Sequence, residues 1–117
     1  MREIKIRYRL KQLDPKKGYE EWFEFYTIEQ IESGGVQTTA EIISRDQYTG
    51  LKDKNGKEIY EGDIFYTSYG CTFPIFINDK HGIRVYIGKD LMTLGEAKSG
   101  KIIGNIYENP ELMEGKP

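Results

Sequence analysis

The sequence predicts a mainly β fold: a small, partly open barrel of SH3-like type, with an N-terminal hairpin and one or two short helices. Three observations support this prediction. Apolar and polar residues alternate in several short runs, the period of a half-buried strand. Turn signals rich in Gly, Asn, Asp and Pro separate those runs. Nine tyrosines and five phenylalanines occur among 117 residues, and aromatic residues favour strands.

Length and composition indicate one folded domain. We expect residues 1–34 to form the hairpin and a helix, and residues 36–113 to form the barrel-like region. A hydrophobic share of 38% with 31% charged residues is typical of a globular chain. The net charge of −2 does not favour nucleic acid or an anionic membrane as partner.

Compartment is predicted from what the sequence lacks. No apolar run approaches the length of a membrane span, and no signal-peptide core follows the charged start. Cys71 is the single cysteine, so no intrachain disulfide can form. These features predict a cytoplasmic protein without membrane contact.

The first hairpin is predicted from Arg2–Leu10, which alternates cleanly, and from Glu20–Tyr26, which is aromatic on both faces. Pro15 lies at the preferred second position of the turn between them. A four-residue loop, Asp14–Lys17, gives a largely complementary register. Its pairs are Lys11 with Glu20, Arg7 with Glu24, Tyr8 with Phe23, Ile6 with Phe25, and Arg9 with Trp22, and its misfit is Leu10 opposite Glu21.

The segment after the hairpin is predicted to contain one helix. Thr27 and Gln30 have the spacing of a capping box, which predicts a helix over Ile28–Ser33 ending before Gly34 and Gly35. A strand is expected over Ala40–Ser44. The sequence Ser44-Arg45-Asp46 is interpreted as a charged connector.

The second hairpin turns at Asn55-Gly56, the strongest short-range turn signal in the chain. A two-residue loop would place Asp53 opposite Glu58. A three-residue loop, Lys54–Gly56, instead pairs Asp53 with Lys57 and puts Gly56 at the left-handed position, so we prefer it. The carboxylates here do not have calcium-loop spacing, so a charged turn is favoured over a metal site.

Later elements are predicted with less detail. Strands are expected over Asp63–Thr67, Thr72–Asn78, Ile83–Ile87 and Lys101–Glu108. Pro74 predicts an edge or a bulge in the second of these, because proline cannot donate to a ladder. Over Lys89–Gly100 a turn of helix, with Thr93 and Glu96 as a capping pair, fits as well as an irregular loop.

Two stretches carry a family resemblance. Gln47–Ile64, QYTGLKDKNGKEIYEGDI, and Ile103–Leu112, IGNIYENPEL, resemble the signature of the YopX family of small phage and prophage proteins. The opening Met1–Arg7 is similar to the usual start of that family. The resemblance implies a β-rich fold and a phage origin. It implies no activity and no catalytic residues.

The residues that bear on function are basic and aromatic. One face of the first strand carries Lys5, Arg7, Arg9 and Lys11, which could form a phosphate-binding stripe. A solvated strand face neutralised by neighbouring acids is the favoured interpretation. The second strand carries aromatic residues on both faces, so one face needs a partner and self-association is predicted. The residues concerned are Trp22, Phe23, Phe25 and Tyr26.

An enzyme is not predicted. Ser44 has no histidine near it in sequence, and His81, the single histidine, lies in a predicted turn without a spaced partner. Cys71 is expected to be a small buried residue. No cofactor is indicated. The leading hypothesis is a non-enzymatic binding or assembly module that forms a homo-oligomer or binds a phage or host protein, and the alternative is a nucleic-acid-associated module.

Overall fold

The computed structural model describes residues 4–35, 38–78, 84–88 and 90–114, with backbone only for 113 and 114. Strands dominate this part of the chain. They are β1 Lys5–Asp14, β2 Gly18–Thr27, β3 Glu41–Lys52, β4 Glu58–Tyr60, β5 Asp63–Tyr66, β6 Thr72–Asn78, β7 Arg84–Ile87, β8 Asp90–Leu91 and β9 Lys101–Asn105. The helices are α1 Ile28–Glu32, α2 Leu94–Ser99 and a 3-10 helix Pro110–Glu114.

Two compact units make up the chain, and they divide between Tyr48 and Thr49. The strands include a strongly curled half-barrel sheet, so the predicted β-rich, partly open barrel with short helices is confirmed. The single domain with parts 1–34 and 36–113 stays a prediction. Within the described residues, no helix is long and apolar enough to cross a membrane.

The first unit is an antiparallel sheet in the order β2, β1 and the start of β3. One face of this sheet forms a core around buried Tyr8, Leu10 and Ala40. Ile6, Trp22, Tyr26 and Ile42 pack against them. The alternation of β1 therefore places its apolar residues as the sequence predicted.

The register of the first hairpin differs from the prediction by one residue. Asp14 pairs with Gly18, so three residues and not four lie between the paired positions. Gly18 has a φ of 85°, and the Asp14 carboxylate accepts from the Lys16 and Lys17 amides. A slip of one residue exchanges every partner across the ladder. The observed pairs are Lys11 with Glu21, Leu10 with Trp22, Arg9 with Phe23, Tyr8 with Glu24, Arg7 with Phe25, and Ile6 with Tyr26.

The third strand is much longer than the predicted Ala40–Ser44. The segment interpreted as a connector, Ser44-Arg45-Asp46, lies inside β3 and pairs with β1. Arg7 is opposite Asp46, so the charges that suggested a loop are matched across the ladder. A bulge between Arg9 and Leu10 interrupts this pairing.

Both helices begin at the capping boxes that the sequence contains. At α1 the Gln30 amide donates to the Thr27 hydroxyl, and at α2 the Glu96 amide donates to the Thr93 hydroxyl. In each case the side chain three residues on accepts from the backbone amide of the capping threonine. The helix predicted after Thr27 is confirmed. The segment before Gly100, for which a helix and an irregular loop fitted equally well, contains the helix α2.

The second unit contains a five-stranded antiparallel sheet in the order β8, β7, β6, β5 and β9, and the end of β3 next to β4. Its core contains Ile59, Phe65, Ile75, Ile87, Met92 and Ala97. The prediction of an edge or a bulge at Pro74 is wrong, because β5 and β7 flank β6 and its pairing with them runs without a register shift. Pro74 is tolerated where pairing with β5 ends and pairing with β7 begins at Ile75.

The three-residue loop of the second hairpin is confirmed. The Asp53 amide donates to the Lys57 carbonyl at 2.9 Å, and Gly56 has a φ of 79°. Gly104 lies at a bulge in the pairing of β9 with β5. The prediction that Cys71 is buried is wrong, because its side chain is exposed at the end of a turn. His81 and Ile83 lie outside the described residues.

Candidate functional site

The basic residues of β1 share one face of the first unit with three of the five aromatic residues of β2. Antiparallel pairing puts directly opposed side chains on the same side of a sheet. Arg9 lies opposite Phe23 and Arg7 opposite Phe25. We call this surface the cation–aromatic face. Its members are Lys5, Arg7, Arg9, Lys11, Leu13, Tyr19, Phe23 and Phe25.

The two arginines at its centre are buried, at 5% exposure each. Arg7 donates from Nε and Nη2 to Oδ2 of Asp46, at 3.3 and 3.1 Å. Arg9 donates from Nε to Oε1 of Glu21 at 3.1 Å. The Phe23 ring covers both, with its centroid 4.3 Å from Cζ of Arg7 and 4.6 Å from Cζ of Arg9. Guanidinium groups stack well on aromatic rings, so both arginines have a favourable contact with the Phe23 ring.

The lysines at the two ends of the stripe also lie over aromatic rings. Nζ of Lys5 is 5.7 Å from the Tyr48 ring centroid, and Nζ of Lys11 is 4.5 Å from that of Tyr19. The predicted basic stripe therefore exists, but rings and carboxylates of the same unit already engage it. A phosphate could reach the arginines only by competing with these contacts.

The other two predicted aromatic residues lie on the opposite face. Nε1 of Trp22 donates to Oε2 of Glu24 at 2.8 Å, and the Tyr26 hydroxyl donates to Oε1 at 2.7 Å. These two bonds hold the pKa of Glu24 below its usual value of 4.5, the bond from Trp22 having the larger effect. The same carboxylate raises the pKa of Tyr26 above 10.0. The Tyr26 ring also packs edge-on against Tyr8 at 5.5 Å.

The cation–aromatic face carries three exposed apolar side chains, Leu13, Tyr19 and Phe25. Phe25 is 54% exposed, and Leu13 and Tyr19, which pair across the hairpin, are more exposed still. The sequence pattern did not identify Leu13 and Tyr19 as a pair. The predicted four-residue loop of the first hairpin is one residue longer than the observed loop, and it gives Leu13 a different partner. The positive φ available to Gly18 is the signal that could have identified the shorter loop.

The acidic turn of the second unit has a structural role. Oδ1 of buried Asp53 accepts from the Asn55 and Lys57 amides, and Oδ2 accepts from the Ile102 amide at 3.0 Å. Asp63, also buried, accepts from the Tyr60 amide at 2.8 Å. These oxygens are occupied by N–H donors. In the described part of the chain, no three acidic, histidine or cysteine side chains come close enough to bind a metal.

The second stretch that carried the resemblance closes a turn in the same way. Oδ1 of Asn105 accepts from the Tyr107 and Glu108 amides, and Oδ1 of Asn109 accepts from the Asn105 amide. A side chain on Gly104 would collide with Asn109, since an added Cβ would lie 2.4 Å from its Oδ1. The residues of both stretches therefore fix backbone geometry.

The two candidate nucleophiles in the described residues, Ser44 and Cys71, belong to different units. Oγ of Ser44 is buried in β3 and has no hydrogen-bond partner among them. Cys71 is exposed in the other unit. A cleft of about 340 Å³ lies beside the first turn and is lined by Asp14, Glu20 and Trp22 among others, but the Asp14 carboxylate is already bound to backbone amides.

Similarity to known proteins bears on the fold and the family of the chain. No curated protein matches the chain. A solved structure, the crystal structure of protein EF1440 from Enterococcus faecalis, is similar with a TM-score of 0.54 and 21% identity, covering 95% of this chain and 98% of that one. At that identity the likeness shows the fold alone. The family model described as YopX protein matches residues 2–114, nearly the whole chain. Because this match covers nearly the whole chain, the chain belongs to the YopX family.

Proposed function

We propose that this protein is a non-enzymatic binding or assembly module that works as a homo-oligomer. The resemblance that first suggested the family implies a phage or prophage origin, and we place the module in the cytoplasm of the bacterial host. The observation that carries the proposal is the exposed aromatic surface of β2. Phe25 and Tyr19 lie on a strand that pairs with β1 alone among the described strands.

An edge strand that bears exposed aromatic residues favours association. The backbone of an edge strand can pair with another strand, and proteins usually protect such edges. Aromatic residues are enriched in the cores of interfaces. At ten residues, β2 is long enough to pair with a second strand along its length.

The sequence of β2 favours a second copy of itself in one register. Two-fold pairing is antiparallel and sets one residue opposite its own copy. Of the registers centred on residues 20 to 24, only the one centred on Phe23 places no glutamate opposite another. Its pairs are Glu20 with Tyr26, Glu21 with Phe25, and Trp22 with Glu24. Like charges directly opposed would be destabilising, so this register is the favoured one.

The proposal is tested by measuring mass in solution by light scattering over a wide concentration range. Phe25→Ala is expected to shift the protein towards monomer. Phe76→Ala is the matched control, because Phe76 lies on a strand of the other unit and is 48% exposed. A wild-type monomer at every concentration, or equal effects of both variants, would refute the proposal.

Charge variants at the same position test the register. Phe25→Glu would place a carboxylate opposite Glu21 of the second copy and is expected to abolish association. Phe25→Lys places an ammonium group there, so it should retain more association than Phe25→Glu. The opposite ranking would contradict the register centred on Phe23.

The nucleic-acid alternative at Lys5, Arg7, Arg9 and Lys11 stays a prediction. Burial and ion pairing of the two arginines make it the less favoured function, because base or phosphate contacts would have to displace Asp46 and Glu21. No other observation at the cation–aromatic face favours it.

A further inference from the structure

We propose that the second unit carries a binding surface for single-stranded nucleic acid, made of five exposed lysines beside two exposed tyrosines. The lysines are Lys52, Lys54, Lys57, Lys98 and Lys101, and the tyrosines are Tyr66 and Tyr69. We call this the lysine surface. It shares no residue with the cation–aromatic face and does not depend on self-association.

Backbone hydrogen bonds bring the three lysine-bearing segments together. The Lys54 amide in the second hairpin donates to the Gly100 carbonyl at 3.0 Å. The carboxylate of Asp53 accepts from the Ile102 amide at 3.0 Å, which ties the same hairpin to β9. Lys98 lies in the last turn of α2, just before Gly100. Residues far apart in sequence therefore lie at one place on the unit.

The ammonium groups of these lysines are free of direct ion pairs in the described part of the unit. All five side chains are exposed, and none forms an ion pair within the described residues. The carboxylates in the same segments have other partners. Asp53 binds three backbone amides, Glu58 accepts from the Tyr60 hydroxyl, and Glu96 accepts from the Thr93 amide. A group of unpaired ammonium groups attracts a chain of phosphates, whatever the net charge of the protein.

The tyrosines make the surface suited to unpaired bases. Tyr66 is directly opposite Lys101 in the pairing of β5 with β9, so their side chains share a face of the sheet. Tyr69 lies in the turn that follows β5 and is 62% exposed. Exposed aromatic rings beside cations stack successive bases of a single strand with little sequence preference. The occupant that fits is therefore single-stranded DNA or RNA.

The test is fluorescence anisotropy of labelled oligothymidylate and oligouridylate with the whole protein over a series of salt concentrations. We expect wild-type binding that weakens with salt. For each phosphate contact on a single strand, the binding constant varies with about the −0.7 power of the molar salt concentration. One contact therefore contributes about 8-fold in affinity at about 50 mM salt. Lys54→Gln with Lys101→Gln should therefore lower the affinity by up to about 60-fold and lower the salt slope by about 1.4.

Two controls make the result specific. Lys16→Gln with Lys17→Gln removes the same charge from the exposed turn of the first hairpin and should leave the affinity within about 2-fold of wild type. Tyr69→Ala should weaken single-strand binding, whereas Tyr69→Phe keeps the ring and should not. No wild-type binding at low salt, equal losses from the two lysine pairs, or binding insensitive to Tyr69→Ala would overturn the proposal. None of these outcomes bears on the mass measurement for self-association.

Discussion

Asp53→Asn should destabilise the second unit strongly although it changes one atom of the side chain. Asp53 is 5% exposed, and its two oxygens accept from three amides at 2.9 to 3.0 Å. An asparagine keeps one acceptor oxygen and turns an N–H₂ donor towards at least one of those donors. Hydrogen bonds to a charged group contribute about 1.5–3 kcal/mol each, and a buried unsatisfied donor costs about 1–3 kcal/mol. Since Asn55 and Lys57 are exposed residues and only part of the three-bond set is lost, we expect a loss of roughly 2–4 kcal/mol.

Urea unfolding followed by far-UV circular dichroism measures this loss, because the ellipticity reports on the strands of both units. Asp90→Asn is the matched control: Asp90 is an exposed aspartate in β8, and surface changes of this kind usually stay within about 0.5 kcal/mol. The denaturant slope should be unchanged, which confines the effect to the folded state. If Asp53→Asn unfolds at the same free energy as Asp90→Asn, the carboxylate does not hold the hairpin to β9.

Two further predictions concern single positions. Folding lowers the pKa of Glu24 below 4.5, so its contribution to stability is complete above that pH and is lost as the pH falls through the lower folded value. Glu24→Gln should therefore lower the free energy of unfolding at neutral pH and make it depend less on pH in the acid range. Urea unfolding followed by Trp22 fluorescence at about pH 6 and about pH 3 measures both effects. An unchanged pH dependence would contradict this prediction. Gly100→Ala should destabilise by about 1–3 kcal/mol, since an added Cβ would lie 2.4 Å from the Phe65 ring and 2.5 Å from a backbone oxygen. A Cβ added at Gly95 in α2 would meet nothing closer than 3.9 Å, so Gly95→Ala should stabilise by up to about 1 kcal/mol. Thermal melts that rank the two variants the other way would refute the steric argument.

Features set by neighbouring residues were predictable from the sequence. Both capping boxes need only a threonine and an acceptor side chain three residues later, and both form. The second hairpin was predictable because Asn55-Gly56 fixes the loop and charge matching fixes the register. The alternation of β1 placed its basic residues on one face, and the pattern of β2 divided its aromatic residues between two faces.

Features set by distant pairing were not predictable in the same way. The polar stretch Ser44–Asp46 becomes a strand because Arg7, far away in sequence, lies opposite Asp46. The first loop was predicted one residue too long because Asp14 was assigned to the turn, whereas it is the last strand residue and its carboxylate caps the turn. Charge matching alone did not resolve this, since Lys11 meets a glutamate in either register.

The two basic surfaces show why charge along a sequence is a poor guide to charge on a surface. Lys5 to Lys11 form the densest basic stretch of the chain, yet the arginines among them are buried beneath Phe23 and bound to carboxylates. An arginine in a strand can be paired by strands on both sides, so its neighbours in sequence do not report its neighbours in space. The lysines of the second unit are scattered over fifty positions and alternate with acids, which suggests neutralisation. The turn instead draws Asp53 inward to bind amides and leaves Lys54 and Lys57 outside. The hydrogen bonds that close the second hairpin thus separate the two signs of charge, and the lysine surface that we propose as a nucleic-acid site depends on this separation.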